Sequence, residues 1–162
     1  MSTPEQPFTH LDDAGHARMV DVTGKTPTVR EAVATGEVTC SPTVMDALRS
    51  GTVPKGDVLA VARVAGIAAV KKTPDLLPLA HVIGVHGAVV DLELAEDRVL
   101  IRATVRTADR TGVEMEALTA VAVAGLAVVD MVKGVDRSAE IGRVRVVAKS
   151  GGRSGDWHRP AD

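Results

Sequence analysis

Between Glu116 and Asp136 the chain carries only two charged residues, Asp130 and Lys133, and no polar face interrupts the apolar positions around them. The stretch from Arg110 to Asp136 therefore predicts a long helix covered on every side, by its own domain and by a neighbour. Ahead of it, Thr111-Gly-Val-Glu114 reads as a capping box, with Thr111 as the cap and Glu114 reaching back to its backbone. The uncharged run 117–129 is thirteen residues long. Crossing a bilayer takes about 20, so no membrane span is expected.

The other segments follow from the same patterning. Val58, Leu59, Val61, Ala62, Ala65, Ala69 and Val70 recur at helical spacing, which predicts a helix over 56–72 stopped by Pro74. Ser41-Pro42 opens a shorter one, with Ser as cap and Pro at the first helical position, running to Arg49 and ended by Gly51. Residues 28–34 are a further short helix candidate, followed by an extended piece over 37–39. From Val85 the period changes to two. Val90, Leu92 and Leu94 alternate with Asp91 and Glu93; after a turn at 95–97, Val99, Ile101, Ala103 and Val105 alternate with Arg102, Thr104 and Arg106. That is a β-hairpin with one buried and one wet face. A last strand is expected over 144–148. The main order, α-α-β-β-α-β, suggests an α+β layer fold with antiparallel pairing. One domain over 28–150 is expected, between an irregular, Pro- and Gly-punctuated arm over 1–27 and a loose Gly-rich tail over 151–162.

Composition narrows the function classes. A chain of 162 residues with 45% hydrophobic and 25% charged residues has room for one real core. A net charge of −2 argues against nucleic-acid binding, and 1% aromatic content (Phe8, Trp157, no Tyr) removes stacking platforms for single strands. Cys40 stands alone, so no internal disulfide or cysteine metal cluster can form. No basic region followed by an apolar run opens the chain, so a cytoplasmic protein is expected. None of the five histidines forms a His-x-x-x-His pair, and neither a P-loop nor a Gly-x-Ser-x-Gly elbow occurs. No metal site is expected.

Asp130 and Lys133, three apart, share a helix face. They are either an ordinary salt bridge or an acid–base pair able to exchange protons with a substrate. The capping role accounts for Glu114 and leaves Glu116 unexplained. Lys55, Lys71, Lys72 and Lys149 lie beside turns and helix ends, where the helix dipole alone would favour some of them; together they favour a polyanionic small ligand such as a nucleotide. His81, between a helix end and a strand, is by itself more readily structural than catalytic.

The runs Met19-Val-Asp-Val22, Lys55-Gly-Asp-Val58, Ala62-Arg-Val-Ala-Gly-Ile67, Leu77-Pro-Leu79 with His81, Arg110-Thr-Gly-Val-Glu-Met-Glu-Ala-Leu-Thr-Ala-Val121, Asp130-Met-x-Lys133 and Lys149-Ser-Gly-Gly-Arg-Ser-Gly155 resemble the MoaC family, from about Thr9 to Gly155. Its members are cyclic pyranopterin monophosphate synthases of molybdenum-cofactor assembly. The resemblance implies a ferredoxin-like antiparallel sheet packed by helices, with added helices. It implies a homo-hexamer of three dimers with active sites at a subunit interface. The implied reaction converts 3′,8-cyclo-7,8-dihydroguanosine 5′-triphosphate to cyclic pyranopterin monophosphate and pyrophosphate, with no cofactor expected and the presence of Mg²⁺ with the triphosphate left open. Asp130 and Lys133 match the family's catalytic pair. Lys55, Lys71 and Lys149 match lysines that hold the triphosphate, Leu79, Ala80, His81, Met115 and Glu116 match substrate-contacting segments along with Glu114, and Arg30 matches an arginine near the site. Three positions depart from the family pattern: Ala80 and Val132 stand where Cys is usual, and Val82 where Pro is. A non-catalytic nucleotide-binding homologue of the same fold is the alternative.

Overall fold

The computed structural model describes residues 10–161, so the first nine residues of the expected arm, Phe8 among them, lie outside it. Strand β1 (Thr28–Thr39) is followed by helices α1 (Pro42–Ser50), α2 (Val58–Val70) and α3 (Thr73–Leu76). The hairpin β2 (Val85–Leu94) and β3 (Arg98–Asp109) comes next, then α4 (Glu114–Val132), β4 (Glu140–Ser150) and β5 (Trp157–His158). The sheet is antiparallel throughout, in the order β2-β3-β1-β4-β5. With α1, α3 and β5 set aside as additions, β1, α2, β2, β3, α4 and β4 form the β-α-β-β-α-β arrangement of a ferredoxin-like α+β fold.

The expected helix over 28–34 is a strand instead. Ala32 and Ala34 read as helix formers, yet Thr28, Val29, Val33, Thr35, Val38 and Thr39 are β-branched and favour a pleated surface. Position decides the matter: β1 lies between β3 and β4, and its small residues Ala32 and Ala34 are fully buried beneath the helical layer. The hairpin runs as the alternation predicts. Val90, Leu92, Val99, Ile101, Ala103 and Val105 are buried, while Asp91, Glu93, Arg102 and Arg106 face outward. On that outer face Arg106 pairs with Glu31 and Arg98 with Glu37, ties between β3 and β1 that help fix the register.

The shorter helices begin and end as their sequences dictate. Ser41 accepts a hydrogen bond from the Val44 amide at the start of α1, and Gly51 ends it in the left-handed conformation. Asp57 caps α2 by accepting from the Ala60 amide. After Val70 the chain turns, and Pro74 stands in the first turn of α3 rather than merely stopping its predecessor.

Lys55, just ahead of α2, reaches Asp130 near the end of α4, so the two helices run antiparallel. Their backbones approach closely at Gly66, where an added Cβ would lie 2.9 Å from the carbonyl oxygen of Ala120. Gly66→Val is expected to destabilise the fold by about 1–3 kcal/mol through overpacking against backbone that cannot yield; thermal unfolding checks it. Among the described residues, this chain covers α4 on one side, the share of the expected burial that its own domain supplies. Ala117, Ala120, Val121, Ala124, Val128 and Val132 are buried, whereas Met115, Leu126 and Asp130 stand exposed along the opposite stripe. By length and composition α4 could cross a membrane. Its buried stripe is instead packed in the core of this domain, on β1, β3, β4 and α2.

Candidate active site

Lys55, Asp130 and Lys133 meet at the C-terminal end of α4. The Lys133 ammonium donates to one carboxylate oxygen of Asp130 at 2.6 Å, and Lys55 donates to the other at 3.3 Å and to the Asp130 carbonyl at 2.8 Å. Cations there also answer the exposed carbonyls of the helix end. The two ammoniums, Lys133 before Lys55, hold the Asp130 carboxyl below the usual carboxylate range. The expected contact of Asp130 with Lys133 is thus present, as an ion pair open to solvent within this chain. The side chains of Lys55, Asp130 and Lys133 are 45, 57 and 55% exposed, because they lie on or beside the stripe of α4 that this chain leaves open.

A second group gathers at the N-terminal end of the same helix. Leu79, Ala80, His81, Glu114, Met115, Glu116 and Lys149 line a cavity of about 450 Å³. Glu116 is only 4% exposed, and burial pushes its carboxyl above the ordinary glutamate range, with Glu114 adding to the effect and His81 opposing it. The first helical turn holds Glu114 and Glu116, so the macrodipole favours negative charge there while burial disfavours it. His81 Nε2 lies 2.6 Å from the Val20 carbonyl oxygen. A carbonyl only accepts, so Nε2 carries the proton and, in the neutral ring, Nδ1 keeps its lone pair.

The capping box does not form. Val113, not Thr111, precedes the first helical residue, and no side chain caps α4. The helix begins two residues later than the motif requires, which frees Glu114 to pair with Lys149 at 3.3 Å. Lys149 also donates to Ser154 at 3.0 Å. Arg30 closes this corner, donating to the carbonyls of Asp109 and Arg110 from β1 and lining a smaller cavity with Glu114, Lys149 and Ser154. Gly151 and Gly152 both adopt positive φ, and a Cβ on Gly152 would collide with the Arg30 guanidinium; this accounts for the glycine pair in the Lys149–Gly155 motif. Lys71 caps the C-terminus of α2, and the antiparallel packing of α2 carries it to the same end of α4 as Glu116.

The expected residues therefore fall into two groups. Glu116 and Asp130 are fourteen residues apart on α4, about 21 Å along a straight helix. His10, Val146 and Trp157 also line the larger cavity, and were missed. The sequence places Trp157 in a loose tail, yet β5 pairs with β4 and sets it directly across from Lys149. The only available signal was that it is the chain's one tryptophan. Of the three departures, Val132 is fully buried in the core, a place where any residue of similar bulk serves. Ala80 lines the cavity, and Val82 points to solvent.

Comparison with known proteins finds a match to the model of the MoaC family over residues 19–152. A cyclic pyranopterin monophosphate synthase of Streptomyces coelicolor is 60% identical over 156 residues, which is 96% of this chain and 92% of that protein. One from Nocardioides is 58% identical over 163 residues, spanning 99% of this chain and 100% of the relative. One from Chloroflexus aurantiacus is 53% identical over 162 residues, 99% of each chain.

Proposed function

The chain belongs to the MoaC family, and from that premise we infer that it is a lyase of molybdenum-cofactor biosynthesis. It converts 3′,8-cyclo-7,8-dihydroguanosine 5′-triphosphate to cyclic pyranopterin monophosphate and pyrophosphate. The observation that carries the chemistry is the pair of oppositely tuned carboxylates. Asp130 is held as an anion between two ammoniums, and burial drives Glu116 toward its protonated form. Carboxyls pushed apart in this way divide the roles of base and acid at one pH.

We assign Asp130 and Lys133 to the proton transfers that open the purine-derived ring and close the pterin. Lys55, Lys71 and Lys149 supply fixed positive charge for the triphosphate and the departing pyrophosphate. Glu114, Met115, Glu116, Leu79, Ala80 and His81 hold the heterocycle, Glu116 also serving there as the acid, and Arg30 braces the Lys149 corner. Among the described residues no three His, Cys, Asp or Glu side chains gather as a metal-holding group. Mg²⁺ accompanying the triphosphate would be held by its phosphates and its own waters, the habit of an ion that keeps most of its waters.

The 21 Å between the two groups is too far for one small substrate to bridge along a single α4. We propose that the working site forms between two copies of the chain. The open stripe of α4 runs from Met115 through Thr119, Ala122 and Leu126 to Lys133. A two-fold axis beside Ala122 and Leu126 would lay two such helices antiparallel. Glu116, His81 and Lys149 of one copy would then face Lys55, Asp130 and Lys133 of the other, giving two sites per dimer. Three such dimers in a cytoplasmic hexamer is the assembly we propose, on the strength of the family resemblance.

The test of the reaction is to supply the cyclic dihydro-nucleotide and follow pyrophosphate and pterin together. Appearance of both in equal amounts is expected. Saturable binding with release of neither would leave a nucleotide-binding homologue instead.

A further inference from the structure

Among the described residues Trp157 is the sole Phe, Tyr or Trp, and it stands on the wall of the cavity rather than in the core. The register of β5 on β4 pairs it with Lys149, and its indole lines the same space as His81, Met115 and Glu116. The residue is 39% exposed. A large aromatic residue held partly open on a cavity wall is shaped to meet a ligand's apolar face.

The neighbouring residues fix the ring in position. Arg159 donates from its side chain to the Val146 carbonyl at 2.7 Å and from its backbone amide to the Val147 carbonyl at 2.8 Å. Its guanidinium carbon lies 5.6 Å from the centre of the Trp157 ring, within cation–π range. The two-residue strand β5 is thus pinned at its outer end, and the indole cannot swing away with the tail.

We propose that Trp157 is a specificity-determining residue of this site: its indole stacks on the planar pyrimidine ring of the substrate's heterocycle while Arg159 holds it in register. The proposal rests on the synthase reading for the identity of that heterocycle. Stacking on an aromatic side chain is sequence-tolerant in nucleic acids because every base offers a π-face. Here it would select the flat pyrimidine ring of the purine-derived substrate, leaving the lysines to select the phosphates.

As the chain's one tryptophan, with no tyrosine beside it, Trp157 makes its own fluorescence the readout. Titrating the full chain with the cyclic dihydro-nucleotide is expected to quench the emission saturably. Trp157→Ala is expected to raise KM roughly 5- to 150-fold, the stacking range seen on alanine substitution, with the rise in KM exceeding the fall in kcat. Trp157→Phe should recover most of the loss, which a merely structural tail residue has no reason to allow if melting temperatures match. Quenching without pyrophosphate release would sink the synthase reading and leave the stacking standing. Unchanged emission at saturating substrate during normal turnover, or an unchanged KM in Trp157→Ala, would overturn the proposal.

Discussion

Asp130→Asn lowers kcat about 10²- to 10⁴-fold, the contribution of a positioned proton-transfer group, and leaves the melting temperature near that of the native chain. The amide keeps the size of the side chain and a hydrogen-bonding oxygen for Lys133 or Lys55, but loses the negative charge and the basic site. The ion pairs it breaks are exposed within the chain, and exposed pairs contribute little to stability. Pyrophosphate release set beside thermal unfolding separates the two roles. A variant that turns over normally but melts early would make Asp130 a structural salt-bridge partner after all.

Glu116→Gln moves activity and stability in opposite directions. Burial raises the folded-state pKa of Glu116 above its unfolded value, so the folded chain holds this proton more tightly than the unfolded chain does. Its contribution to stability is therefore complete below the ordinary glutamate range and is lost as pH rises through the raised value. Glutamine has no such proton to lose. The variant should match the native chain at acid pH and exceed it at neutral pH, each 1 kcal/mol gained raising Tm by about 2–4 °C in a domain this size. Turnover should fall about 10²-fold or more as the acid is lost. A side chain that weakens the fold at neutral pH while raising the rate is one kept for chemistry. Equal melting temperatures at neutral pH, or full activity in the variant, would contradict the assignment of Glu116 as an acid.

The hairpin and α2 were legible in the sequence because each carries a period that its own packing preserves, α1 through its Ser41-Pro42 start and Gly51 stop, and α4 through its long, nearly uncharged run. β1 was not, since its alternation is written in alanines and a glycine whose burial depends on the helices above them. The capping box failed for a related reason: Glu114 has a partner in Lys149, thirty-five positions away, that no local motif could reveal. The proposed site residues come chiefly from family resemblance. Spacing alone paired Asp130 with Lys133 but could not say that Lys55 joins them or that Glu116 is buried. Trp157 escaped notice because two residues of strand, fixed by long-range pairing, carry no periodicity.

Under the proposed assembly, a working site draws one end of α4 from each of two copies. The most direct measurement mixes Asp130→Asn and Glu116→Gln chains, each inactive alone, after unfolding and refolding them together. In a mixed dimer one site carries both defects and the other neither. Random pairing should then restore about a quarter of native activity, since half the dimers are mixed and half their sites intact. Activity that stays at the level of the separate variants, with mixed dimers shown to be present, would place the whole site within one chain and contradict the account.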